Sequence, residues 1–146
     1  MKISTKGLYA LRMMLDLAEH KEEGSIALKD VAERQNISKK YLEQIIAILN
    51  QSGFLRAARG AQGGYRLAKE PKEYTVGEIL RLTEGNLAPV ACLECKPCDC
   101  PRRDLCETLP VWEGLEKVIN EYLNGFTLQD LLDRKHKNRE ERKEEK

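Results

Sequence analysis

The chain has 146 residues, enough for one compact domain with an appendage and too few for two full cores, which excludes most large enzyme folds. Its composition is 41% hydrophobic and 34% charged, no apolar run approaches the roughly 20 residues that span a bilayer, and polar residues interrupt MKISTKGLYALRMML, so a cytoplasmic protein without a signal peptide is predicted. The net charge of +1 hides a division, because residues 1–69 carry 12 Lys/Arg against 7 Asp/Glu and residues 70–146 carry 13 against 17, leaving the front half suited to a phosphate-facing surface.

Leu8, Leu11, Leu15 and Ala18 recur at helical spacing and predict a first helix over residues 5–20. Leu28, Val31 and Ala32 predict a short second helix. The third starts at Ser38 as N-cap, carries Leu42, Ile45, Ile46 and Leu49 on one face and stops at Gly53. Only Gln35-Asn36-Ile37 separates these two helices, the length of the turn in a helix-turn-helix. Residues 54–59 and 65–67 then read as two short strands around the glycine-rich tip Gly60-Ala61-Gln62-Gly63-Gly64. Thr75 and Glu78 have capping-box spacing and start a helix through Ile79, Leu80 and Leu82 to Gly85. After a cysteine-rich loop, Trp112, Leu115, Val118, Ile119, Tyr122 and Leu123 repeat at helical spacing behind Thr108 and Pro110. Thr127 begins a short last helix through Leu132.

The expected architecture is mainly α with a small β-hairpin wing: a winged helix-turn-helix over residues 1–85, a cysteine-rich loop over 86–107, and a long dimerisation helix plus a short helix over 108–133. Residues 134–146 contain no apolar side chain and are expected to be a disordered charged tail. The alternative role for the long helix is packing within its own subunit, and one amphipathic helix can do both.

A helix-turn-helix sets its second helix in the major groove of duplex DNA, where side chains of the first turns reach base edges. Here those are Ser38, Lys39, Lys40, Tyr41, Glu43 and Gln44, opposite the apolar stripe. Gln pairs with adenine, Glu accepts from cytosine, and Lys and Ser hold phosphate. Arg56, Arg59 and Arg66 put cations on the wing, with Arg59 beside the glycine tip and best placed for a minor groove. A polar helix face is by itself the rule on surface helices; the order and spacing of helices, turn and basic hairpin carry the assignment.

Five cysteines, Cys92, Cys95, Cys98, Cys100 and Cys106, fall within fifteen residues of a loop rich in charge and proline. Crowded thiolates of this kind are soft ligands for zinc or an iron–sulfur cluster. No cysteine has a nearby His and no βαβ pattern surrounds the C-x-x-C pairs, which argues against a thiol redox enzyme. His20 and His136 sit at surface positions and are poor ligand candidates.

MKISTKGLYAL, ISKKYLEQI and RGAQGGYRLAK, at this spacing, resemble the winged-helix family of the iron–sulfur cluster regulator IscR, the nitric-oxide-sensing repressor NsrR and the cysteine-metabolism repressor CymR. The resemblance runs from Met1 to about Leu132. It implies a homodimer on a roughly palindromic duplex, with no membrane and no small-molecule substrate. Ser38, Tyr41, Glu43, Gln44 and Arg59 become the best candidates for base or groove contacts, Glu43 for tuning base preference, and Ser4, Thr5 and Lys6 for phosphate contacts.

The resemblance also favours an iron–sulfur cluster, 2Fe–2S ahead of 4Fe–4S, with zinc as the alternative. Cluster-binding members carry three spaced cysteines before a helix with a Trp, and Cys106 precedes Trp112 by six positions as in that pattern. Cys92, Cys100 and Cys106 form the primary set and Cys92, Cys98 and Cys106 the competing one. Leu109 stands where the cluster regulator has a histidine, and Leu8 where some relatives have an acidic ligand from the partner subunit. That leaves Cys98, Cys95 or Glu107 for the fourth ligand, with Cys98 first. The other expectation is a zinc-stabilised or thiol-based regulator of cysteine or sulfur metabolism genes without a cluster.

Overall fold

The computed structural model describes residues 2–95 and 99–145. Six α-helices and one antiparallel hairpin follow in the order α1 (Thr5–Glu19), α2 (Leu28–Gln35), α3 (Lys39–Gln51), β1 (Leu55–Ala58), β2 (Gly64–Leu67), α4 (Val76–Glu84), α5 (Leu109–Asn124) and α6 (Leu128–Glu144). The expected class, mainly α with a hairpin wing, is the observed one.

The core forms because α1 and α3 turn their apolar stripes toward each other. Ala10, Met13, Met14 and Leu17 of α1 meet Leu42, Ile45, Ile46 and Leu49 of α3, with Val31, Ile79, Tyr74 and Leu128 closing the sides. Each fully buried Leu, Ile or Met here contributes about 1.5–3 kcal/mol of burial free energy. Tyr74 ties the base of the wing to this core. Its hydroxyl donates to the Phe54 carbonyl at 2.7 Å and accepts from the Lys69 amide at 3.0 Å, while its ring meets Phe54 edge-on.

The hairpin pairs Leu55 with Leu67, Arg56 with Arg66, Ala57 with Tyr65 and Ala58 with Gly64. Ile26 adds a bridge by exchanging two 2.9 Å backbone hydrogen bonds with Tyr65. A β-carbon on Gly64 would run into the Ile26 carbonyl, so glycine is what lets the strand approach there.

A second cluster joins Val76 and Leu80 of α4 and Leu87 to Ile119 and Leu123 of α5, with Phe126 and Leu131 beside them. Arg81 of α4 strengthens this junction, donating to the Asn120 side chain at 2.8 Å and the Asn124 side chain at 2.7 Å.

The tail differs from expectation. Instead of ending at Leu132 and leaving residues 134–146 disordered, the last helix continues to Glu144. Its continuation has no apolar stripe, and two other causes hold it: good helix formers along its length, and Lys135 and Arg139, both of which bond the Glu19 carboxylate of α1. Among the described residues, no helix is long and apolar enough to cross a membrane.

Candidate nucleic-acid interface and cysteine loop

The turn of the helix-turn-helix is set by chemistry at three residues. Asn36 takes the left-handed conformation at φ 53°, which Asn tolerates better than most residues, and closes α2. Arg12 of α1 donates to the side-chain oxygen of Gln35 at 3.2 Å and to its backbone carbonyl. Asp16, buried in the middle of the α1 stripe, takes hydrogen bonds from Arg34 at 2.8 and 3.0 Å and from Gln35 at 2.9 Å. Burial pushes the Asp16 carboxyl up, but the hydrogen bonds from Arg34 and Gln35, helped by the charges of Arg34 and His20, outweigh it and hold the pKa below the usual carboxylate range.

Ser38 then caps α3 as the sequence indicated, accepting from the Tyr41 amide at 3.1 Å. Ser38, Lys39, Lys40, Glu43 and Gln44 are exposed on one face, and Tyr41 is half-buried with its ring edge-on to Tyr9 at 5.5 Å. Tyr9 lies five residues into the chain beyond Ser4, about 7 Å along a helix axis. The Tyr9–Tyr41 contact therefore brings the start of α1, with Ser4 and Thr5 exposed and Lys6 half-buried, to the flank of α3. Arg59 is exposed next to Gly60, which has φ 101°. Arg56 and Arg66 are exposed and directly opposite each other on the hairpin. Neither makes an ion pair among the described residues, although Glu22, Glu70 and Glu73 line the same surface cavity as the two arginines.

Among the described residues of the loop over 86–107 there are two single 3-10 turns, Ala91–Leu93 and Arg103–Leu105, and the rest of them are irregular. Cys92, Cys100 and Cys106 are half-buried and Cys95 is exposed, whereas Cys98, a member of the competing set and first choice for the fourth ligand of the primary one, lies outside the described residues. The Cys106 sulfur lies 3.4 Å from the Thr108 hydroxyl, and that hydrogen bond, with the backbone amides at the start of α5, lowers its thiol pKa. Among the described residues no group of three or more His, Cys, Asp or Glu side chains is gathered closely enough to hold a metal ion. The donor set still fits a soft metal in chemistry: thiolates on an irregular segment with few apolar side chains can be drawn together by the ion they bind. Leu109, where a histidine ligand was absent from the sequence, is buried, and Leu8 is half exposed.

Behind the loop, α5 turns Ile119 and Leu123 into the second cluster and leaves Val111, Trp112, Leu115, Val118 and Tyr122 exposed. Positions 111, 115, 118 and 122 follow helical spacing, so this is one continuous apolar stripe left exposed among the described residues. Both roles anticipated for this helix thus have a face available.

Comparison with known proteins gives a consistent result. Residues 3–134 match the family model described as Rrf2, iron-dependent transcriptional regulator. The protein named rrf2 of Nitratidesulfovibrio vulgaris (strain Hildenborough) is 42% identical over 132 residues, covering 90% of this chain and 87% of that protein. Among solved structures, IscR of T. potens is 44% identical with a TM-score of 0.72, covering 91% of this chain and 87% of that one. CymR, the global cysteine regulator of B. subtilis, is 39% identical with a TM-score of 0.74, covering 90% and 95%.

Proposed function

The chain belongs to the Rrf2 family of transcriptional regulators, and from that premise we propose that it is a homodimer that reads a palindromic DNA site with α3 and adjusts its grip according to what the cysteine loop holds. It is a regulator and not an enzyme. The observation that carries the proposal is the shared orientation of α3 and the start of α1, fixed by the Tyr9–Tyr41 contact and the Asp16–Arg34 pair. In this reading Ser38, Tyr41, Glu43 and Gln44 meet base edges, Lys39, Lys40, Ser4, Thr5 and Lys6 hold phosphates, and Arg59 enters the minor groove.

Two copies meet through the exposed stripe of α5, which buries Val111, Leu115, Val118 and Tyr122 and sets two α3 helices on successive half-sites. Cys92, Cys100 and Cys106, with Cys98 as fourth ligand, hold an iron–sulfur cluster, 2Fe–2S ahead of 4Fe–4S. When bound, such a cluster supplies a centre sensitive to redox state, nitric oxide and cluster supply. The loop runs from the end of α4 to the start of α5, so a group that held its thiolates together would act on both sides of the Arg81–Asn120–Asn124 junction between DNA-reading head and dimer helix.

A second reading has a specific observation in its favour. The 39% identity to CymR over 90% of the chain supports a regulator of cysteine or sulfur metabolism whose loop is zinc-stabilised or reads thiol state directly. Anaerobic purification with iron and sulfide analysis and absorbance separates the two, because thiolate-bound iron–sulfur clusters are coloured and zinc thiolates are not. Iron and acid-labile sulfide in equal amounts support the first reading; colourless protein carrying zinc or no metal supports the second. The shared claim is tested by selection from random duplexes, which is expected to return an inverted repeat.

A further inference from the structure

Ser4 caps α1 by accepting from the Gly7 amide at 3.2 Å, yet its own hydrogen-bond donors are already taken. Its hydroxyl donates to Glu84 Oε1 at 2.5 Å and its backbone amide donates to the same oxygen at 3.2 Å. Gly7 makes room for this carboxylate, since a β-carbon there would collide with it. A carboxylate therefore sits at the positive end of the α1 dipole, on donors a DNA phosphate would need. The two anions cannot share them.

Glu84 is also the last residue of α4, followed by Gly85 at φ 83° and then by the cysteine loop. A cavity of about 270 Å³ beside it is lined by Lys2 and Ile3 from one end of the molecule and by Asn86, Leu87 and Glu94 from the loop. The cavity thus leaves the carboxylate a path out of its seat, and its backbone is one residue from the start of the cysteine-bearing loop.

We propose that Glu84 is a carboxylate latch: it occupies the phosphate position at the start of α1 in the free protein and must leave before Ser4 can engage a duplex. The latch rests on the reading of Ser4–Lys6 as phosphate contacts. It gives the cysteine loop a route to the DNA-reading surface within one subunit, independent of any change at the dimer helix. Removing the latch frees two donors for phosphate and removes a like charge from the phosphate path.

The test uses the full chain and a duplex selected from a random pool by the wild-type protein. Glu84→Ala and Glu84→Gln are each expected to bind that duplex about three- to tenfold more tightly, Gln less than Ala, because an amide keeps an acceptor near Ser4 but not the charge. The slope of log K against log salt should steepen by about 1, one further phosphate contact. Ser4→Ala should weaken binding more in the Glu84→Ala background than alone. Both Glu84 variants binding no more tightly than wild type, with an unchanged salt slope and unchanged melting temperature, would overturn the latch while leaving DNA reading intact. If wild type itself selects no duplex, the DNA reading fails and the latch with it.

Discussion

Arg34 and Asp16 form a forked pair, Nε to Oδ2 at 3.0 Å and Nη2 to Oδ1 at 2.8 Å, that bolts the first helix of the helix-turn-helix to α1. The carboxylate is almost fully buried while a third of the Arg34 side chain stays in water, so the guanidinium keeps part of its hydration. A bidentate pair of this kind fixes orientation as well as contributing energy.

Asp16→Asn should therefore lower stability by about 1–3 kcal/mol, measured by urea unfolding. The sign of its pH dependence follows from the depressed folded-state pKa of Asp16: the unfolded chain takes up the proton first as pH falls. The stability difference between wild type and variant should be constant above about pH 5 and shrink as pH drops below about 4. A difference that grew on acidification would contradict the pairing.

Glu19 anchors the continuation of α6 through Lys135 and Arg139. Glu19→Ala should fray the helix beyond Arg134, seen as faster amide exchange over residues 135–144 with the core unchanged. Global stability should move by less than about 1 kcal/mol, since both cations are partly in water. Unaltered exchange there would mean that helix propensity alone holds the extension.

Val118 is exposed in the middle of the α5 stripe, on a different element from the residues proposed to contact DNA. Val118→Glu should leave the subunit folded and halve the mass in sedimentation. Operator affinity should fall by at least about a hundredfold, as each half-site loses its tethered neighbour. A dimer of undiminished strength would place the interface elsewhere.

Glu43 is exposed on the face of α3 next to Gln44. A carboxylate accepts from cytosine N4 but repels phosphate and the acceptor edges of other bases. Glu43→Ala should broaden the set of duplexes recovered by selection, with each previously excluded base gaining about 1–3 kcal/mol. An unaltered preference would remove Glu43 from base reading.

The helix-turn-helix, the wing and the caps at Ser38, Thr75 and Thr127 were legible because each rests on a local rule that the sequence states openly: apolar spacing, a capping oxygen, a glycine at a turn. What escaped were contacts between residues far apart in the chain. Asp16 did leave a sign, since a carboxylate three after Met13 and one before Leu17 lies on the buried face and requires a partner, but nothing local says that the partner is Arg34. The Glu84–Ser4 contact, eighty residues apart, left no such sign. The helical tail left no trace in the sequence because a helix without an apolar stripe gives no periodicity, and its anchor, Glu19, lies more than a hundred residues away in the chain. The cysteines stand out in the sequence as soft donors by type, but among the described residues their side chains do not converge on a common point.

The central claim is that α3 reads duplex sequence, and the most direct measurement is competition for it. A duplex recovered by selection is titrated with the protein in the presence of heparin at moderate salt, beside a scrambled duplex of the same composition and beside Gln44→Ala. The account predicts retention of the selected duplex, loss of the scrambled one, and a drop of about five- to a hundredfold for Gln44→Ala on the selected site alone. Equal displacement of both duplexes by heparin, with Gln44→Ala indistinguishable from wild type, would contradict it.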